Sequence, residues 1–231
     1  MRKIVNKPDL KLFVFYGIIL IPTFFLCYER NLPFFFVIVV MLLTSVIEIP
    51  IYKFRTKKPG YSELEAMRIG EFYGVPVLEE MQEDNERVYK TTVTLNMGGF
   101  IIPLFFSFYL LISYPAFLLE MVMSLLLMTI FSYMLSEVKG GVGIVIPSYV
   151  GIFAIPLGLI LVAPVGLPVD NIAGVLIFVP AIFGILLGML IRLAALSEEK
   201  EGSAFFNIGG IGSFHSIYLI SLLALLIGTI A

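Results

Sequence analysis

The side chains of this chain that could do chemistry are few, and the densest group lies in an apolar stretch near the C-terminus. Residues 207–218 read Asn-Ile-Gly-Gly-Ile-Gly-Ser-Phe-His-Ser-Ile-Tyr and include the only histidine. Polar side chains in so apolar a setting usually face a protein interior or a water-filled cavity. We therefore expect this segment to line a site through the following residues: Asn207, Gly209, Gly210, Gly212, Ser213 and His215.

His215 is the residue of this group that can exchange a proton near neutral pH. It lies well inside the apolar stretch 204–231, about 16 Å from the start of that stretch if it is helical. An unpaired imidazole in lipid would cost several kcal/mol. We therefore expect the ring to face the protein interior and to share a hydrogen bond with a polar group of another span. A purely structural histidine is the alternative.

Glu48 is a second candidate, because it is a carboxylate within the apolar stretch 34–52. In a helix it would lie about 8 Å from the membrane interface that Lys53 marks. At that depth it either accepts a proton or cation, or extends its side chain to the lipid headgroups. Pro50 would free a backbone carbonyl at the same level, which favours the binding of a proton or cation.

Two other apolar stretches carry glycines and prolines close together, and one of them also carries an amide side chain. One contains Asn96, Gly98 and Gly99, and the other contains Gly141, Gly143 and Pro147. Small residues allow membrane helices to pack closely, while breaks in a helix expose backbone that needs a protein or water partner. Both interpretations stay open for the glycines. Asn96 either lines the site or binds backbone groups.

The composition indicates an integral membrane protein, so we predict the lipid bilayer as a partner. Hydrophobic residues make up 59% of the 231 positions, and the mean hydropathy is +1.02; soluble domains are roughly 45–50% apolar. The net charge of −2 gives no basic surface for nucleic acid. The single cysteine, Cys27, excludes an intramolecular disulfide and a cysteine-cluster metal site. No cofactor is predicted.

Seven apolar stretches have about the 20 residues that cross a hydrocarbon core of ~30 Å: residues 12–28, 34–52, 92–113, 115–135, 140–163, 171–193 and 204–231. We predict an all-α polytopic membrane helix bundle of about seven transmembrane helices, some broken by Gly or Pro. The stretch 140–163 is the richest in such breakers, so its helix is expected to be discontinuous or re-entrant. Gly184 and Gly188 have the spacing of tight helix pairing.

The predicted organisation has three parts. Residues 1–52 form helices 1 and 2, residues 53–90 form a cytoplasmic loop or small subdomain, and residues 91–231 form helices 3–7 with the polar core. A capping pattern at Ser62 predicts a short helix in the loop. Residues 88–95 alternate weakly in hydrophobicity, which indicates either a strand or an extension of the next span.

The orientation follows from the basic residues. Fourteen of the fifteen Lys and Arg residues fall on one side of a seven-span bundle, and only Arg30 falls on the other. Because cytoplasmic loops are enriched in Lys and Arg, we predict a cytoplasmic N-terminus and an external C-terminus in the plasma membrane of a prokaryote. Four residues near cytoplasmic span ends are then expected to lie close together: Asn96, Gly141, Pro147 and Asn207.

Four motifs resemble, in the same order, those of an uncharacterised family of bacterial and archaeal multi-pass membrane proteins, a domain of unknown function. They are E-I-P at 48–50, N-M-G-G-F-I-I-P at 96–103, G-V-G-I-V-I-P at 141–147 and G-G-I-G-S-F-H-S-I-Y at 209–218. The corresponding family segments are N-I-P, N-V-G-G-A-x-I-P, G-x-G-I-x-x-P and G-G-A-G-T-F-D-G-I-F. The chain departs from the family at Glu48, where the family has Asn, and at Leu190 and His215, where it has Asp. Chemistry that uses paired acids in such relatives therefore does not carry over.

These residues favour a transporter-like protein for a small solute, an ion or a proton, in which broken helices surround a polar intramembrane cavity and Glu48 or His215 exchanges protons or binds a cation. One alternative is an intramembrane or lipid-modifying enzyme with His215 as acid or base. The sequence offers it neither paired carboxylates nor a nucleophile with a convincing base. A structural or assembly protein is a further alternative, and assembly as a homo-oligomer stays open.

Overall fold

In a computed structural model, residues 10–57, 63–73, 88–139, 142–162, 172–196, 203 and 205–230 are described. These residues contain eight α-helices: α1 Leu10–Cys27, α2 Leu32–Thr44, α3 Glu63–Tyr73, α4 Ile102–Ser113, α5 Leu118–Leu135, α6 Ala154–Val162, α7 Ile172–Ala194 and α8 Phe214–Ile230. A π-helical turn, Met97–Ile101, leads into α4, and 3₁₀ turns, Pro115–Phe117 and Val150–Phe153, lead into α5 and α6.

The described chain also contains five strands: β1 Glu48–Lys57, β2 Val88–Asn96, β3 Glu137–Lys139, β4 Gly143–Val145 and β5 Phe205–Ile208. Strands β1, β2 and β5 form one sheet in that order, with β1 antiparallel and β5 parallel to β2. Strands β3 and β4 form a separate antiparallel hairpin. The all-α prediction is therefore wrong in this respect, although the chain is mostly helical.

The transition from α2 to β1 shows why the stretch 34–52 is not a single helix. α2 ends at Thr44, and the hydroxyl of Ser45 donates to the Leu42 carbonyl at 2.7 Å, which closes the last turn. The β-branched residues that follow favour extended backbone. Pro50 lies at an irregularity in the β1–β2 register, where the missing N–H of a proline is tolerated.

Strands replace one end of each of four predicted spans, the end that was expected on the cytoplasmic side. Residues 48–52, 92–96, 143–145 and 205–208 were expected in helices and form β1, β2, β4 and β5. The stretch 140–163 is discontinuous, as predicted, and the alternation over residues 88–95 is confirmed as a strand. Short helix α3 is also present, although its capping residue Ser62 lies outside the described residues.

Only two helices of the described chain, Pro115–Leu135 and Ile172–Ala194, are both long and apolar enough to cross a membrane by length and composition alone. Five shorter apolar helices accompany them. The chain thus has several helices compatible with a membrane protein. β1 and β2 cross the predicted divisions at 52/53 and 90/91, so the sheet joins all three predicted parts.

Helix α7 forms the centre of the bundle, where it packs against α4, α5, α6 and α8. Its contact with α5 depends on two glycines. A Cβ at Gly184 would overlap Met128, and one at Gly188 would lie 2.5 Å from the Cβ of Ser132. Since real carbon atoms do not approach so closely, the expected role of this spacing in tight helix pairing is confirmed.

Gly184→Ala should therefore lower the stability of the protein, because its methyl group would push α5 away from α7. Overpacking of this kind costs about 1–3 kcal/mol, which should appear as a lower midpoint of thermal unfolding in detergent. Leu187→Ala is the matched control, since Leu187 lies on the same helix with 39% of its surface exposed. Equal shifts for the two variants would contradict a tight α5–α7 contact.

Candidate functional site

The sheet passes directly into the helix bundle, and we call this region the inner junction (residues 44–48, 96–101, 142–147 and 205–214). β1 follows α2, while β2 and β5 lead into α4 and α8. Because β2 and β5 are parallel neighbours, both strands end on the same side of the sheet, and the segments that lead to α4 and α8 begin there side by side. Most of the predicted site residues lie here.

The glycines of the inner junction allow backbone segments from different elements to lie in direct contact. A Cβ at Gly98 would overlap the Met41 carbonyl oxygen of α2, and a Cβ at Gly99 would overlap the carbonyl oxygen of Gly209. Gly209 has φ +80°, a left-handed conformation that residues with a Cβ rarely adopt. Of the two interpretations of these glycines, the structure favours close packing.

A second set of glycines joins the β3–β4 hairpin to β5. Gly143 has φ +93° and lies against the backbone of Phe205 and Phe206. A Cβ at Gly212 would overlap the carbonyl of Ile144, and the N–H of Ile146 donates to the Gly212 carbonyl at 2.8 Å. The hairpin and the start of α8 are thereby held together at the inner junction.

Asn96 binds backbone groups rather than an open site. It is fully buried, its side-chain oxygen accepts the Gly99 N–H at 2.8 Å, and its side-chain nitrogen donates to the Ser45 carbonyl at 2.5 Å. It thus caps the π-helical turn and ties it to the end of α2. Of its two predicted roles, the structural one fits this geometry.

Three side chains from the three neighbouring strands meet on one face of the sheet. The hydroxyl of Thr94 donates to Oε2 of Glu48 at 3.3 Å, and the side-chain nitrogen of Asn207 donates to Oε1 of the same carboxylate. Thr94 and Asn207 are register partners in β2 and β5. Both are almost fully buried, and Glu48 is half-buried.

This carboxylate group could hold a proton or a small cation. Burial raises the pKa of the Glu48 carboxyl, which lies in β1 outside the apolar helices, while the hydrogen bonds from Thr94 and Asn207 lower it in part. Moreover, the buried side-chain oxygen of Asn207 has no hydrogen-bond partner in the described part of the chain. A carboxylate, a hydroxyl and a carboxamide oxygen form a set of oxygen ligands that suits hard cations.

Thr94 was not predicted as a site residue. The signal available in the sequence was the run Thr91-Thr92-Val93-Thr94, whose β-branched residues favour a strand with alternating faces. With Thr94 added, the site has one member on each strand of the three-stranded sheet.

His215 lies elsewhere than predicted. The first ten residues of the stretch 204–231 include β5 and a turn, so His215 is in the first turn of α8 and its side chain is exposed. The expectation that the ring faces the interior is therefore wrong. The expected bond to another helix is present, because Nδ1 of His215 lies 3.3 Å from the hydroxyl of Tyr16 in α1.

The remaining predicted residues can be placed only in part. Ser213 is buried beside the start of α8, and Pro147 follows Ile146, which binds Gly212. Gly210 packs directly on the side chain of Asn207. Gly141 lies outside the described residues. Across the described ranges, no group of three or more His, Cys, Asp or Glu residues is arranged to hold a metal ion.

A comparison with protein families finds one matching family model. Its description is a protein of unknown function (DUF1614), and it matches residues 42–227. The match covers the whole inner junction and omits α1, the helix that carries Tyr16. No curated protein and no solved structure matches the chain.

Proposed function

The chain belongs to the DUF1614 family of proteins of unknown function, and we propose that it is a multi-pass membrane protein that moves a small solute or ion with the help of a proton or cation site at Glu48, Thr94 and Asn207. The observation that carries this proposal is the buried, unpartnered side-chain oxygen of Asn207 beside the Glu48 carboxylate. Buried polar atoms are nearly always paired. This orphan acceptor is explained if the amide, whose nitrogen contacts Glu48, can turn over so that its oxygen shares a proton or cation with the carboxylate.

The proposed membrane orientation is supported by the ends of the bundle. Lys53 and Arg55 lie on β1 at the sheet end, and Arg30 lies in the turn between α1 and α2 at the other end. Basic residues concentrate on the cytoplasmic side of membrane proteins. The sheet therefore faces the cytoplasm in this proposal, the N-terminus is cytoplasmic and the C-terminus is external.

The side-chain amide of Asn207 provides a simple response to protonation. When Glu48 is ionised, the amide donates to it from its nitrogen; when Glu48 is protonated, the carboxyl can donate to the amide oxygen after the amide turns over. The amide nitrogen is hydrogen-bonded when Glu48 is ionised, and the amide oxygen is hydrogen-bonded when Glu48 is protonated. The site can thus exist in two hydrogen-bonded states that differ by one proton.

An enzyme that uses His215 as acid or base is the second candidate, and its support is the contact with Tyr16. The pair combines an exposed imidazole with an almost fully buried phenol on another helix. The pair is separate from the Glu48 carboxylate, so the two candidate functions make different predictions for substitutions at Glu48 and His215.

The test is cation flux in liposomes that contain the purified protein. Wild-type protein should carry protons, followed with an internal pH-sensitive dye, or radioactive sodium ions down an imposed gradient. Glu48→Gln should reduce this flux to that of empty liposomes, because the neutral amide cannot exchange a proton or balance a cation. Glu137→Gln is the matched control, since Glu137 is an exposed acid on the β3–β4 hairpin.

Two results would overturn the proposal. One is wild-type flux of both ions no greater than that of protein-free liposomes. The other is undiminished flux in Glu48→Gln protein that is folded and inserted normally. Loss of flux in His215→Phe alone would instead show that transport depends on His215 and not on Glu48.

A further inference from the structure

A second site lies at the end of the bundle opposite the sheet. There an open cavity of about 220 Å³, which we call the outer cavity, is formed by five elements. It is bounded by the turn between α1 and α2, the start of α2, the last turns of α4 and α8, and the start of α7. The residues that matter for its chemistry are Arg30, Asn31, Phe34, Phe106, Tyr109 and Tyr114.

Arg30 gives the outer cavity its charge. Its side chain is exposed at the rim, and within the described ranges no carboxylate forms an ion pair with it. The neighbouring Asn31 fixes this turn, because its side-chain nitrogen donates to the Gly228 carbonyl at 2.9 Å and to the Thr229 hydroxyl at 3.0 Å. The turn that carries Arg30 is therefore held at the end of α8.

The inner wall of the outer cavity is aromatic. The ring centroids of Phe34 and Phe106 are 5.0 Å apart, and both rings pack edge-on against Phe178 in the core at 5.0 and 5.5 Å. Such edge-to-face clusters are rigid and offer flat apolar surface. Tyr109 and Tyr114 also line the outer cavity.

We propose that the outer cavity binds a small organic monocarboxylate with an aromatic or short apolar body. The charge of the ligand is inferred from the single guanidinium, which pairs with a carboxylate through two parallel hydrogen bonds. The body is inferred from the aromatic wall, and its small size from a volume below the roughly 300–1,000 Å³ of sites for drug-sized ligands. This site does not depend on the proposed transport role of Glu48.

The alternative is that Arg30 anchors the protein to lipid phosphates, as basic side chains at membrane interfaces do. The two explanations differ in whether the apolar wall of the outer cavity takes part in binding. A lipid anchor needs no apolar wall facing the bundle interior. A carboxylate site needs both parts, and it discriminates an acid from its neutral analogue.

The test is equilibrium binding of radioactive benzoate to the protein in phosphatidylcholine nanodiscs, with no ion gradient. Wild-type protein should bind benzoate saturably, and benzyl alcohol should not compete. Arg30→Gln should weaken binding about tenfold or more, and Arg30→Lys should weaken it less. Arg55→Gln, which removes an exposed arginine from β1 at the other end, should leave binding unchanged.

Four results would overturn the proposal: no saturable binding of benzoate, equal binding by wild-type and Arg30→Gln protein, competition by benzyl alcohol, or loss of benzoate binding in nanodiscs of phosphatidylglycerol. The last result would assign the outer cavity to a lipid headgroup. Because Arg30 is exposed and has no ion-pair partner in the described chain, Arg30→Gln is expected to fold normally.

Discussion

Gly209→Ala should destabilise the protein by about 2–5 kcal/mol, because two costs combine at this position. The residue has φ +80°, a conformation that is unfavourable for any residue with a Cβ. The new methyl group would also lie 2.6 Å from the carbonyl group of Gly99, which is backbone and cannot rotate away. The two chains would have to separate where β5 meets the π-helical turn.

The measurement is the midpoint of thermal unfolding of purified protein in detergent, with the yield of monodisperse protein as a second readout. Gly17→Ala is the matched control, since a Cβ at Gly17 would have nothing within 4 Å. In the interior of α1 this change should be neutral or stabilise the protein by up to about 1 kcal/mol. If both variants unfold at the wild-type temperature, the backbone crossing of Gly99 and Gly209 is not as close as described.

Asn96→Ala should destabilise the protein by about 2–5 kcal/mol. Its fully buried side chain accepts a hydrogen bond from the N–H of buried Gly99 and donates one to the carbonyl of half-buried Ser45, and a buried group left unpaired costs about 1–3 kcal/mol. The same unfolding assay measures the loss. Because α2 and the π-helical turn would both lose a contact, we also expect faster proteolysis of the β1–β2 sheet.

Asn31→Ala provides the comparison for Asn96. Asn31 also donates two hydrogen bonds, to Gly228 and Thr229, but it is only half-buried, so water can replace the lost bonds. Its loss should be about 1 kcal/mol or less. Equal losses for the two variants would mean that burial does not decide the importance of Asn96.

Much of the inner junction was foreseeable from the sequence, because glycine, proline and asparagine act locally. The sequence predicts Gly98 and Gly99 as either packing or site residues, and the structure places them against Met41 and Gly209. The break in the stretch 140–163 followed from its glycines and prolines, which interrupt a helix wherever they occur. Tight pairing at Gly184 and Gly188 followed from their spacing alone.

The three-stranded sheet was not foreseen, for a physical reason. The length of an apolar stretch indicates that its residues are buried away from water. It does not distinguish a helix from a strand of the same hydrophobicity. A helix satisfies its backbone hydrogen bonds locally, whereas β1, β2 and β5 satisfy theirs only with segments far away in the chain. The same cause explains the wrong prediction for His215. The residues predicted to form the first part of its helix form β5 and a turn instead, so His215 lies in the first turn of α8.

By itself, the sequence determined the apolar composition, the positions of the helix breakers and the scarcity of ionisable groups in apolar stretches. Only the tertiary structure decided which of those groups meet. Glu48 and Asn207 are 159 positions apart, and they come together because β2 pairs with β1 on one side and β5 on the other, which places Thr94 between them. Strand register is a long-range property, so no local pattern could bring the donors Thr94 and Asn207 to this carboxylate.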